Sequence, residues 1–134
     1  MGWNIKKMRV MSGFDYIIDT NILIYILQGN PKVRYFAQEE VLGVSCITEM
    51  EVLGKYMIST SEKQIIDNFL SRCYVVEIDA QIKQLAINIK QQKKMKLPDA
   101  IIAATAIKNK VILVSADKGF DKVPNLELLL IDMS

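Results

Sequence analysis

Five short apolar runs, set apart by segments of helical periodicity, constrain this chain more than anything else in it. They are FDYIID (14–19), VLGVS (41–45), YVVEI (74–78), VILVS (111–115) and LELLLI (126–131). Each is short and rich in β-branched, leucine or aromatic residues, as strands are. VILVS has no polar alternation before its serine, which suits a strand buried on both faces of a parallel sheet. Strands alternating with helices imply right-handed crossovers and a parallel sheet covered on both faces, an α/β/α arrangement.

The intervening segments carry helix signals. Asn21 is placed to cap ILIYILQ, which Gly29-Asn30 ends. Asn30-Pro31 opens another helix with proline in its first position. Thr48 with Glu51 has capping-box spacing for a helix through about residue 58, and Ser61 with Gln64 repeats the pattern. Ile65, Ile66, Phe69 and Leu70 then mark one buried face. Asp79 caps a long helix with Ile82, Leu85, Ala86 and Ile89 at helical spacing. Pro98 restarts the chain into DAIIAATAIKNK, whose alanines allow close packing on a sheet.

A chain of 134 residues suits one domain with one proper core. Its 51% hydrophobic and 24% charged residues are a globular balance. The apolar stretches fall short of the roughly 20 residues a membrane helix needs. The opening MGWNIKKMRVMSGF has basic residues without the apolar core of a secretion signal. With Met8 and Met11 as alternative starts, residues 1–13 are expected to be a poorly ordered extension and 14–134 the domain. Cys46 and Cys73 make no disulfide framework, so a reduced, cytoplasmic setting is expected. A net charge of +2 is too small to prove a nucleic-acid partner. The count of zero histidines excludes Ser-His-Asp triads, Cys-His pairs and histidine acid–base chemistry within this chain, and weakens a zinc reading.

Hydrolytic chemistry here must therefore rest on carboxylates. YIIDTNILIYIL places Asp19-Thr20-Asn21 inside an otherwise apolar run, and an unpaired buried charge is expensive. In parallel sheets, sites lie beyond the carboxyl ends of the strands. Asp19 ends the first strand, Glu49 and Glu51 follow the second, Asp99 opens the helix after Pro98, and Asp117 follows the fourth strand. Singly, each has a structural explanation: a turn or cap for Asp19, dipole or capping roles for Glu49 and Glu51, a helix start for Asp99, a turn for Asp117. Jointly they describe a carboxylate metal site. Such acids repel one another without a cation, and oxygen-rich sites suit Mg²⁺ or Mn²⁺. These ions acidify water and neutralise a phosphodiester's developing charge. Lys90, Lys93, Lys94 and Lys96 could hold a nucleic-acid backbone, or simply solvate a helix end.

YIIDTNILIYIL, SCITEMEVLG, LPDAIIAATAI and VILVSADKGF, in that order, resemble the PIN-domain ribonucleases, above all the VapC-type toxins of toxin–antitoxin pairs. The resemblance runs over nearly the whole chain from Phe14. It implies a three-layer α/β/α PIN-like fold around a mainly parallel five-stranded sheet. It also implies RNA cleavage dependent on one or two Mg²⁺ or Mn²⁺ ions, leaving 5′-phosphate and 3′-hydroxyl ends. By residue match, Asp19, Glu51, Asp99 and Asp117 are the metal-binding, catalytic acids, with Glu49 as second choice to Glu51. Thr20, Asn21 and Ser115 match supporting polar positions. Gly119 stands where many relatives have an acid before the phenylalanine matching Phe120, and Asp121 follows instead, so the fourth acid is the least defined. A homodimer and a cognate antitoxin partner are implied as well. The alternatives are a PIN nuclease of RNA processing, an inactive PIN binding module, and a receiver or aspartate-nucleophile phosphatase. The phosphatase would want a second aspartate where Asn21 stands; the receiver would want an acidic pair.

Overall fold

The computed structural model describes residues 13–134. The expected extension, Gly13 apart, lies outside the described residues. Strands β1 (Tyr16–Ile18), β2 (Leu42–Ser45), β3 (Tyr74–Val76), β4 (Ile112–Ser115) and β5 (Leu128–Leu130) form one sheet in the order β3-β2-β1-β4-β5. Every pairing is parallel, so the sheet is wholly rather than mainly parallel. Ile18 pairs with Val44 on one side and Val114 on the other, which makes β1 the central strand.

The helices are α1 (Thr20–Leu27), α2 (Arg34–Glu39), α3 (Cys46–Leu53), α4 (Thr60–Leu70), α5 (Ala80–Gln92) and α6 (Leu97–Asn109). Successive strand residues point to opposite faces, and the two layers follow from that. Ile17 and Leu113 face α5 and α6, packing with Ile82, Ile89, Ala103 and Phe120. Ile18 and Val114 face the other way, onto Ile22, Leu23, Phe36, Ile66 and Phe69 of α1, α2 and α4. The alanines of α6 are buried, as close packing on the sheet requires. Gly43 is needed in β2 because a Cβ there would lie 2.5 Å from the Phe14 ring.

The expected elements are all present, but several caps move. Asp19, not Asn21, caps α1: its carboxylate reaches the Ile22 N–H and the helix starts at Thr20. Asn30 and Pro31 form a turn, with the Asn30 side chain accepting from the Lys32 N–H, so α2 begins only at Arg34. Ser45 caps α3 through the Ile47 N–H, which puts Thr48 inside the helix rather than at its start. That helix stops at Gly54, short of residue 58. The capping box of α4 is Ser59 with Glu62, two residues before the expected pair. Ile65 faces outward, 57% exposed, because the buried face is the i, i+3, i+4 set Ile66, Phe69 and Leu70, and Ile65 lies about 100° round the helix from Ile66. Asp79 caps α5 as expected, through the Ile82 N–H, and Leu85 is half-buried beside Ile82, Ala86 and Ile89.

Candidate active site

From β1 the chain builds outward to β2 and β3 on one side, and later to β4 and β5 on the other. The reversal falls between β1 and β4, the place where a parallel sheet opens a crevice at its carboxyl edge. Asp19 leaves β1 there and Ser115 ends β4. Asp19 is 5% exposed and Ser115 fully buried. The Ser115 hydroxyl donates to Asp19 Oδ2 at 2.5 Å and accepts from the Asp117 N–H at 2.9 Å. Asp19 Oδ1 accepts from the Ile22 N–H at 2.9 Å. One serine thus ties together the acids that follow two neighbouring strands, and both oxygens of Asp19 are satisfied.

The remaining acids arrive from other elements. Glu51 stands on α3 and accepts from the Thr20 hydroxyl at 2.6 Å. Asp99 sits in the first turn of α6, where its charge suits the helix N-terminus. Asp117 opens the 3₁₀ turn Lys118–Lys122 and accepts from the Gly119 N–H at 2.8 Å. A Cβ on residue 119 would lie 3.1 Å from Asp117 Oδ1, so the glycine keeps this contact uncrowded.

Asp19, Glu51, Asp99 and Asp117 all line one cleft of about 490 Å³, together with Thr20, Asn21, Lys94, Lys96, Gly119 and Lys122. Burial pushes the Asp19 carboxyl above its ordinary value; Ser115 and Ile22 pull it back, while the charges of Asp99 and Asp117 add to the rise. Burial also raises Asp99, reinforced by Asp117 and Glu51 and opposed by Lys96. Asp99 is therefore close enough to share charge repulsion with each of the other three acids.

A PIN-domain family model matches residues 16–126. The chain belongs to the PIN-domain family. Among solved structures it is similar to a toxin–antitoxin complex from Klebsiella pneumoniae, with 30% identity, TM-score 0.72, and coverage of 85% of this chain and 95% of that one. It is similar also to VapBC2 from Rickettsia felis, bound to a promoter DNA fragment, with 25% identity, TM-score 0.71, and coverage of 87% and 98%. VapBC-1 from nontypeable Haemophilus influenzae shares the fold at 23% identity and TM-score 0.72, over 86% and 96% of the chains. No curated protein matches the chain.

In this PIN domain the sequence-predicted residues separate by position. Thr20 and Asn21 line the cleft beside Asp19, and Ser115 lies beneath it. Glu49 is outside the cleft lining, although it shares α3 with Glu51. Lys94 and Lys96 face the acids, whereas Lys90 and Lys93 do not line the cleft. The Lys90 ammonium instead donates to the Met95 carbonyl at 2.7 Å and holds the loop before α6. Asp121 lies in the 3₁₀ turn but outside the cleft lining. Lys122 was not foreseen: it lines the cleft and donates to the Lys94 carbonyl at 2.6 Å. Nothing local in GFDKVP marks it, because its partner is 28 residues away.

Among the described residues, no three acidic or cysteine side chains stand together as a ready-made ligand cage. The donor chemistry nevertheless fits a hard cation. The cleft is lined by carboxylates from four segments, and two of them, Asp19 and Asp99, are made less acidic than an ordinary carboxyl, first by burial and then by repulsion from neighbouring acids. Mg²⁺ keeps several of its waters and takes only one or two carboxylates, so it does not need a closed cage.

Proposed function

We propose that this PIN domain is a Mg²⁺- or Mn²⁺-dependent endoribonuclease acting as the toxin of a toxin–antitoxin pair. The observation that carries the reading is the convergence of Asp19, Glu51, Asp99 and Asp117 on one cleft at the switch between β1 and β4. These acids would hold one or two ions, which supply Lewis acidity and a counter-charge for the phosphodiester. Ser115 and the Ile22 N–H fix the Asp19 carboxylate, and Thr20 fixes Glu51. Lys94 and Lys96 flank the acids and would draw the RNA backbone to the cleft. Cleavage leaves 5′-phosphate and 3′-hydroxyl ends.

The toxin role is supported by similarity to VapBC complexes. It entails a homodimer and an antitoxin that covers the acidic cleft. Among the described residues no helix is long and apolar enough to cross a membrane, and the proposed setting is cytoplasmic. The test is incubation of purified protein with RNA, with Mg²⁺ or Mn²⁺ and then with EDTA. Cutting that starts with the ion and stops with the chelator is expected. Cutting that survives EDTA would sink the metal assignment. Induced expression, with and without the product of a short neighbouring reading frame, tests the toxin role through growth arrest and its relief.

A further inference from the structure

Thr48 belongs to none of the site assignments above. It is fully buried in α3, three residues before Glu51 and hence on the same helical face. Its hydroxyl lies 3.0 Å from that of Thr20, whose own hydroxyl donates to Glu51 Oε1 at 2.6 Å. A hydroxyl has one proton to give. Thr20 spends its proton on the carboxylate, so the 3.0 Å contact is directed from Thr48 to Thr20. Accepting that bond polarises the Thr20 hydroxyl and strengthens its donation. Glu51 itself stands at the exposed edge of the cleft, where its side chain has other rotamers open to it.

We propose that Thr48 is a positioning residue for the nuclease centre, acting through Thr20 to hold the Glu51 carboxylate toward the cleft. The proposal rests on the reading of the cleft as that centre. The relay runs from a buried hydroxyl in α3, through the first residue of α1, and back to α3. It joins the helix after β1 to the helix after β2, so that Asp19 and Glu51 keep a constant relation. Ser45 supplies the helix cap, which leaves the Thr48 hydroxyl free for this duty.

The test uses Thr48→Val, which keeps the shape and deletes the hydroxyl, and Thr48→Ser, which keeps the hydroxyl. T48V is expected to lower kcat roughly 10-fold, the lower end of what loss of a supporting hydrogen bond costs a metal site. Its KM for RNA should stay near wild type, and T48S should restore kcat. In a Thr20→Val background T48V should add almost nothing, because both changes break one chain. A second, metal-free readout is the Thr20 side-chain rotamer from NMR couplings: single in wild type and T48S, averaged in T48V. Wild-type kcat in T48V, or full additivity with T20V, overturns the proposal. If T48V does not fold, an averaged Thr20 rotamer in wild type overturns it and a single one together with a protected Thr48 hydroxyl proton supports it. A wild-type protein inert on RNA breaks the nuclease reading, while the rotamer measurement still decides the relay.

Discussion

Asp19 and Asp99 face the same cleft but are held there in different ways. Asp19 is embedded at the end of the central strand, with one oxygen on a helix N–H and the other on a buried serine. Asp99 rides the first turn of α6, half-buried, and its surroundings are mainly the charges of Asp117, Glu51 and Lys96. Both carboxyls are raised first by burial. Only Asp19 has hydrogen bonds that offset the cost. The difference suggests an anchor and a rim: a fixed carboxylate on the sheet, and others whose repulsion is relieved when a cation enters.

Replacing either acid gives the largest expected effect and breaks the comparison most directly. Asp99→Asn and Asp19→Asn should each cut RNA cleavage by more than about 100-fold, beyond the usual cost of losing a supporting partner of a metal site. Their stabilities should diverge. Asp99 has a folded-state pKa raised above the unfolded value of 3.8, so its contribution is most favourable below that value and is lost as pH rises through the folded pKa. Metal-free D99N should therefore gain melting temperature over wild type as pH rises through that window, and keep the gain at neutral pH. D19N removes the same kind of burden but leaves the Ser115 hydroxyl without its carboxylate acceptor, so it gains less. Equal gains in thermal melts from pH 4 to 8 would show that Asp19 is no better anchored than Asp99.

Ser115→Ala tests the anchor from beneath. It removes the donor to Asp19 and the acceptor of the Asp117 N–H. Activity should fall about 10–100-fold, with a stability loss of about 1–3 kcal/mol from the unsatisfied buried partners. Ser45→Ala is the matched control: it is equally buried but only caps α3, and should cost about 1 kcal/mol with cleavage nearly intact. Urea melts and cleavage rates on the two variants separate the roles.

The two kinds of support were not equally legible in the amino-acid order. The strands could be read because VILVS and YIID are apolar runs whose pattern reflects burial on both faces. Asp19, Asp99 and Asp117 could be read because each sits just beyond a strand or at a helix start, where the parallel topology collects side chains; Glu51 lies further along α3, past Glu49 in the first turn, and only the family resemblance singled it out. The caps were misplaced where several small polar residues compete within one turn: Ser45 against Thr48, Ser59 against Ser61, Asp19 against Asn21. Each satisfies the local rule, and tertiary packing chooses among them. Thr48 was hidden for that reason, since a capping role accounted for it completely. Lys122 was hidden because its relation to Lys94 exists only in the folded chain.

The lysines sharpen the rim at the smallest scale. All of Lys90, Lys93, Lys94 and Lys96 cluster in sequence, yet only Lys94 and Lys96 line the cleft. Lys96 is also the cation that opposes the rise of Asp99, so its charge is felt at the acids. Lys96→Met should raise KM for RNA a few-fold and reduce the slope of log affinity against log salt by about 0.7, the value of one contact to a single strand. Lys93→Met lies outside the cleft and should leave KM and slope unchanged. Lys90→Met should act differently from both, because Lys90 holds the Met95 carbonyl rather than facing substrate. It should loosen the loop that carries Lys94 and Lys96, weakening binding with a smaller change in salt slope than K96M, because both cleft lysines keep their charges. Binding titrations at several salt concentrations distinguish the three. Equally reduced slopes for K96M and K93M would mean that the RNA follows the helix end rather than the cleft, and would move the substrate path away from the acids' basic flank.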